Sequence, residues 1–222
     1  MMLNLTPDEL LSTTRSVRKR LDFTRPVEPE MVRECLALAI QAPNGGNGQR
    51  WRWVVVTDPA KRRALGEVYR RGNENFRDPA PGLPAAPAHP PAGDPEQAAR
   101  DRRREESSEY LAEHIHEAPV MVIPCYLGRP ERRTVSRQAI LWGSTLPAAW
   151  SFMLALRARG LGAAWTTAHL EYERDAAAIL EIPYESVTQT ALLPVAYTIG
   201  TDFRPGAREP VDAVIRWNAW SD

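Results

Sequence analysis

Ala42-Pro43-Asn44-Gly45-Gly46-Asn47-Gly48-Gln49-Arg50-Trp51 decides how this chain is read. It separates a helical pattern from the apolar run Trp53-Val54-Val55-Val56-Thr57. A basic, hydroxyl-bearing segment stands upstream, Ser12-Thr13-Thr14-Arg15-Ser16-Val17-Arg18-Lys19-Arg20. The basic segment offers fixed positive charge and hydroxyls, which suit a phosphate. The glycine-rich turn offers backbone amides and carboxamides, which suit a flat polar ring. Together they point to a nucleotide-like cofactor. Separately, each has a plain structural reading. Arg15, Arg18, Lys19 and Arg20 can be the solvated face of a helix. Asn44 to Gly48 can be a helix stop, because Gly and Asn accept left-handed backbone angles. The turn is no dinucleotide fingerprint, since it follows a helix and precedes a strand.

Elements can be read outward from this stretch. Thr6-Pro7-Asp8-Glu9 predicts a capped helix start, with the helix reaching Thr13 or Thr14. Glu28-Pro29-Glu30 opens a second helix with Met31, Val32, Cys35, Leu36, Ala39 and Ile40 on one face, ended by Pro43. Residues 51–57 read as a strand buried on both faces. Asp58-Pro59 starts a third helix ending near Gly72, and a Pro/Ala-rich loop at 78–95 is too long for a plain connector. A charged helix at about 95–117 precedes a buried strand at 119–127. The longest helix, about 136–159, is apolar nearly all round, so a core or a partner buries it; Pro147 should kink it. A short strand and loop, 161–169, lead to a small helix. The final strand, 188–199, contains Pro194, which requires an edge or a bulge. Trp217 and Trp220 in the tail are expected to pack on this subunit or another.

The 222 residues suit one domain, 1–222, with a loop and lid helix at about 73–117. A formal net charge of +0 and a pI near 6.9 give no general basic field for nucleic acid or membrane. Cys35 and Cys125 sit in apolar runs and read as buried thiols. No signal core and no 18-residue apolar run appear, so a cytoplasmic location is expected. No metal site is expected.

Thr14-Arg15-Ser16-Val17-Arg18, the 42–51 loop, Arg-Gly-Leu-Gly (159–162) and Ala-Arg-Glu-Pro-Val (207–211) resemble, in order, elements of the FMN-dependent nitroreductase family. Thr14, Asn44 and Arg50 depart from the family's usual Arg, Ser and Pro. The resemblance implies an α+β fold: a small central mixed sheet flanked by helices, in an intertwined homodimer with FMN at the subunit interface. It implies that Thr14, Arg15, Ser16, Arg18 and Arg208 hold the phosphate side, with Arg18 reaching the ring edge. It implies that Pro43, Asn44, Gly45, Asn47 and Gln49 line the ring, and that Thr167, Ala168 and His169 offer a backbone amide to N5. Phe76 and Tyr110 are candidate substrate contacts.

The implied activity is ping-pong oxidation of NADH or NADPH, with nitroaromatics, quinones or activated enones as small-molecule acceptors. The flavin carries the chemistry, so no catalytic acid or base is named. The alternatives are a flavin-storage or sensing protein without turnover, and a flavin-consuming or reductively dehalogenating relative. Dehalogenation is disfavoured because the lid lacks a lysine beside Glu106 and Tyr110. A deazaflavin in place of FMN stays open.

Overall fold

The structure is a computed structural model, and it describes residues 2–75, 95–131 and 133–220. Among the described residues, seven α-helices surround a six-stranded sheet. In chain order the elements are α1 (Pro7–Thr13), β1 (Leu21–Asp22), α2 (Pro29–Ala39), β2 (Trp51–Val56), α3 (Pro59–Asn75) and α4 (Pro95–His114). There follow β3 (Val120–Leu127), α5 (Val135–Ala158), β4 (Leu161–Ala163), α6 (Glu173–Leu180), β5 (Val187–Gln189), β6 (Leu193–Thr198) and α7 (Val211–Val214). Helix α1 starts as its sequence dictates. The Thr6 hydroxyl accepts from the Glu9 amide, and the Glu9 carboxylate accepts from the Thr6 amide.

The sheet runs β1-β6-β3-β2, with β4 on β6 and β5 on β3. Every described pairing is antiparallel, so the sheet is antiparallel and not mixed. Strand β3 lies inside and is buried almost throughout. Strand β2 lies at the edge. It was expected to be buried on both faces, but Arg52 and Val55 are exposed. An apolar run alone does not tell an edge strand from a central one.

The expected strand 188–199 is two strands, β5 and β6, with residues 190–192 between them. Pro194 is at neither an edge nor a bulge; it stands inside β6. The β4–β6 ladder ends at Ala163↔Val195 and resumes in the same register at the bridge Thr166↔Leu192. Pro194 falls in the gap, where it has no N–H to give. The proline therefore interrupts a ladder opposite Ala164, while Ala163 and Trp165 face away from β6 toward the segment after α1.

Helix α2 ends at Ala39, capped at Ile40, before Pro43 is reached. Helix α3 continues past Gly72 to Asn75. Helix α5 runs through Pro147 unbroken. Phe152, Leu156 and Ala148 of α5 are fully buried, while Val135 near its start is 84% exposed. It is the one described helix long and apolar enough to cross a membrane, and half of its apolar window is packed inside the fold. Both cysteines are buried free thiols, and burial pushes Cys35 up to about 11 and Cys125 to about 12.

Trp217 and Trp220 are 81% and 87% exposed, so this subunit does not cover them. Of the expected loop and lid, the loop and Phe76 lie outside the described residues; the lid helix is α4.

Candidate active site

Two adjoining clefts share Arg18 and Arg104. The larger, about 1440 Å³, lies between residues 15–20, the tail at 203–213 and helix α4. The smaller, about 710 Å³, lies between Arg18, helix α3, helix α4 and the loop 165–168.

The fixed wall is built from the segment after α1. Val17 donates its amide to the Ala163 carbonyl at 2.9 Å, and its side chain is buried. Ser16 and Arg18, on either side of it, line the larger cleft. The Ser16 hydroxyl accepts from the Trp165 amide at 2.9 Å, the amide next to the β4–β6 interruption. Segment and loop are thus tied together on both sides of the same residue pair. Gly72 of α3 closes the loop from behind. A Cβ there would lie 1.9 Å from the Ala168 carbonyl oxygen, so only glycine allows this approach.

Arg18 is half-buried, and its Nε is a buried donor with no partner among the described residues. Burial lowers its pKa from the ordinary arginine value, Tyr69 opposes the shift and Arg15 adds to it. A guanidinium remains charged under any such shift. It is therefore a fixed cation with an unsatisfied donor, standing where the two clefts meet. An unpaired buried donor is costly, and a ligand acceptor relieves that cost.

The expected site residues divide as follows. Arg15, Ser16, Arg18 and Arg208 line the larger cleft together, although Arg15 and Arg208 lie 193 residues apart in the chain. Arg15 donates to the Arg204 carbonyl at 3.1 Å, which holds the tail to the segment. Thr167 and Ala168 line the smaller cleft. Thr14 lines neither, and its hydroxyl donates to the Leu10 carbonyl at 2.6 Å, closing α1. His169 is fully buried and lines neither cleft; both ring nitrogens lack partners among the described residues, and burial lowers its pKa to about 3. Tyr110 stacks its ring on His114 at 4.5 Å and lines neither cleft.

The 42–49 loop stands apart from both clefts. Gly45 donates to the Ser144 hydroxyl at 3.0 Å and sits so close to α5 that a Cβ would meet Ile140 at 2.6 Å. Gly46, Asn47 and Gln49 all have positive φ. The Asn44 side chain accepts from the Gln49 amide, and the Gln49 side chain donates to Asn47. Residues 45–50 are exposed. The loop is therefore a shaped, outward-facing surface braced on α5, and within one chain it does not reach the Arg18 wall's clefts.

Sequence reasoning missed the opposing wall. Tyr69 and Asn73 from α3, Arg100, Arg103, Arg104 and Ser108 from α4, and Trp165 and Thr166 also line the clefts. The spacing 100, 103, 104 was a usable signal, since i, i+3 and i+4 share a helix face.

The nitroreductase family model matches residues 11–197. Over 87 residues the chain is 38% identical to a nitrobenzene nitroreductase of Ectopseudomonas oleovorans, a match covering 38% of this chain and 37% of that protein. Over 170 residues it is 30% identical to a 5,6-dimethylbenzimidazole synthase of Rhodospirillum rubrum, covering 72% of this chain and 68% of that protein. Among solved structures, an FMN and NADPH-dependent nitroreductase from sphigopyxis sp. strain HMH superimposes with a TM-score of 0.68 at 21% identity, over 97% of this chain and 100% of that one. With the family match spanning α1 to β6 and the fold agreeing, the chain belongs to the nitroreductase family of oxidoreductases.

Proposed function

We propose that this protein is an FMN-dependent NAD(P)H oxidoreductase that reduces electron-poor acceptors, among them nitroaromatics, quinones and activated enones. The observation that carries the reading is Arg18, a half-buried cation with an orphaned Nε at the junction of the two clefts.

The residues fit FMN in kind. Arg15, Ser16 and Arg208 offer two guanidinium groups and a hydroxyl to a phosphate within one cleft. Arg18 presents positive charge to a ring edge, and Thr167 and Ala168 bring backbone to the smaller cleft. FMN, when bound, supplies transfer of two electrons between a nicotinamide and an acceptor. Arg18 favours the more negative form of a bound ring and so makes it easier to reduce. Tyr69, Trp165 and α4 wall the smaller cleft, where reductant and acceptor would take turns.

The 42–49 loop joins the site as part of a homodimer. It faces outward, it is held in left-handed geometry, and it cannot serve its own chain's clefts. A second copy would present it to the Arg18 wall. The uncovered tail tryptophans and the exposed start of α5 support that assembly.

The test is multiple turnover. Purified protein loaded with FMN is mixed with excess NADPH and a quinone or nitrobenzene, and nicotinamide oxidation is followed by absorbance. Many turnovers per flavin, with the flavin spectrum intact afterwards, are expected. Flavin uptake without turnover would favour a binding protein. Irreversible loss of flavin absorbance with oxygen would favour the flavin-consuming chemistry suggested by the 5,6-dimethylbenzimidazole synthase relative.

A further inference from the structure

The larger cleft carries more positive charge than a flavin phosphate uses. Eight of its lining residues are Arg or Lys, against Asp101 and Glu209. Several of these cations already have carboxylate partners. Lys19 pairs with Glu106 at 3.6 Å, Arg20 with Asp202 at 2.5 Å, Arg100 with Glu96 at 3.1 Å, and Arg104 with Asp101 at 3.2 Å. Arg15, Arg18 and Arg208 belong to the wall that suits FMN. Arg103 is left over: it is exposed on α4, lines the cleft and pairs with no carboxylate among the described residues.

Arg100, Arg103 and Arg104 lie on one face of α4, spread over roughly 6 Å of helix axis. The carboxylates that engage Arg100 and Arg104 are exposed or half-exposed neighbours on the same helix, and such pairs are weak. A phosphate monoester offers bidentate, charge-assisted bonds that a guanidinium prefers to a screened surface carboxylate. Arg103, flanked by Arg100 and Arg104 on the same face, is therefore placed to engage a second anion across the cleft from Arg15, Arg18 and Arg208.

Resting on the flavin reductase reading above, we propose that these α4 arginines select the reductant: they bind the 2′-phosphate of NADPH and discriminate against NADH. The two dinucleotides share their pyrophosphate and differ only in that monoester. A cationic cluster centred on an unpaired arginine discriminates between them through charge.

The test uses the FMN-loaded protein and two non-reducing probes, 2′-phospho-ADP-ribose and ADP-ribose, with affinities measured by calorimetry. The phosphorylated probe should bind at least about tenfold more tightly, and the ratio should shrink as salt is raised. Arg103→Glu should bring the ratio close to one. Arg102→Glu makes the same charge change one residue away, outside the cleft lining, and should leave the ratio intact. Far-UV dichroism confirms that both variants fold. Equal binding of the two probes by the wild-type protein, or a ratio that survives Arg103→Glu, would overturn the proposal. So would equal probe binding together with an Arg103-dependent preference for an anionic acceptor such as 4-nitrobenzoate. A chain that takes up no FMN at all overturns the flavin reading with it, which separates the two failures.

Discussion

The two walls of the larger cleft are built in opposite ways. The wall of residues 15–18 is locked to the core by the Val17 and Ser16 bonds, and the neighbouring loop is backed by Gly72. The cleft-lining part of α4 is almost wholly polar, and the ion pair of Lys19 with Glu106 links it to the other side. Rigid backbone suits a resident cofactor, whose geometry must hold through every cycle. The cleft-lining part of α4 is exposed, although Leu111 and Ala112 anchor its end in the core, and an exposed polar face suits ligands that come and go. On the reading proposed above, the contrast assigns the cofactor to the buried wall and substrate choice to the exposed one.

The largest effect that could break this contrast is a change at Gly72. Gly72→Val forces a Cβ onto the Ala168 carbonyl, so α3 and the loop must separate; a loss of about 3 kcal/mol is expected. Chemical denaturation measures it, and flavin affinity should fall in parallel. Unchanged stability would mean that the fixed wall is not fixed.

Next comes Arg18→Ala. FMN affinity should drop by about tenfold to a hundredfold, and the bound flavin should become harder to reduce. Fluorescence titration and a redox titration read the two effects. Wild-type values for both would remove Arg18 from the site.

His169 sharpens the account of the fixed wall through pH. Its folded pKa of about 3 lies below the ordinary value of 6.5. The unfolded chain therefore binds the proton more readily. This contribution is complete above pH 6.5 and is lost as pH falls toward 3, with about 2 kcal/mol gone by pH 5. Denaturation curves at pH 7 and pH 5 should show the fall, and His169→Leu should flatten it.

The smallest effect belongs to the exposed side of the comparison. Glu106→Gln removes a pair whose side chains are 50% and 62% exposed, so stability should change by less than about 1 kcal/mol. A larger loss in a thermal melt would show that α4 is anchored more firmly than its contacts indicate.

Much of this was legible in the sequence, and the gaps have physical causes. Helix starts were readable because caps are local, as at Thr6 and Glu9. That Arg15, Ser16, Arg18 and Arg208 share one cleft was readable only through likeness to a family, because Arg15 and Arg208 come to that cleft through tertiary packing. Pro194 was read as an edge marker because the sequence does not reveal that its missing N–H falls at a gap between ladder pairs. Thr14 was placed with the ligand by its position in the motif; its bond to Leu10 shows that a hydroxyl at a helix end serves the helix first. His169 sat beside Thr167 and Ala168 in the chain, yet its side chain turns into the core.

The central claim is that the Arg18 wall holds FMN. Its most direct test is an equilibrium titration of flavin-free protein with FMN, read by quenching of flavin fluorescence. The account predicts saturation at about one FMN per chain, with the site weakened by Arg18→Ala. A wild-type chain that quenches no flavin at any concentration would contradict it.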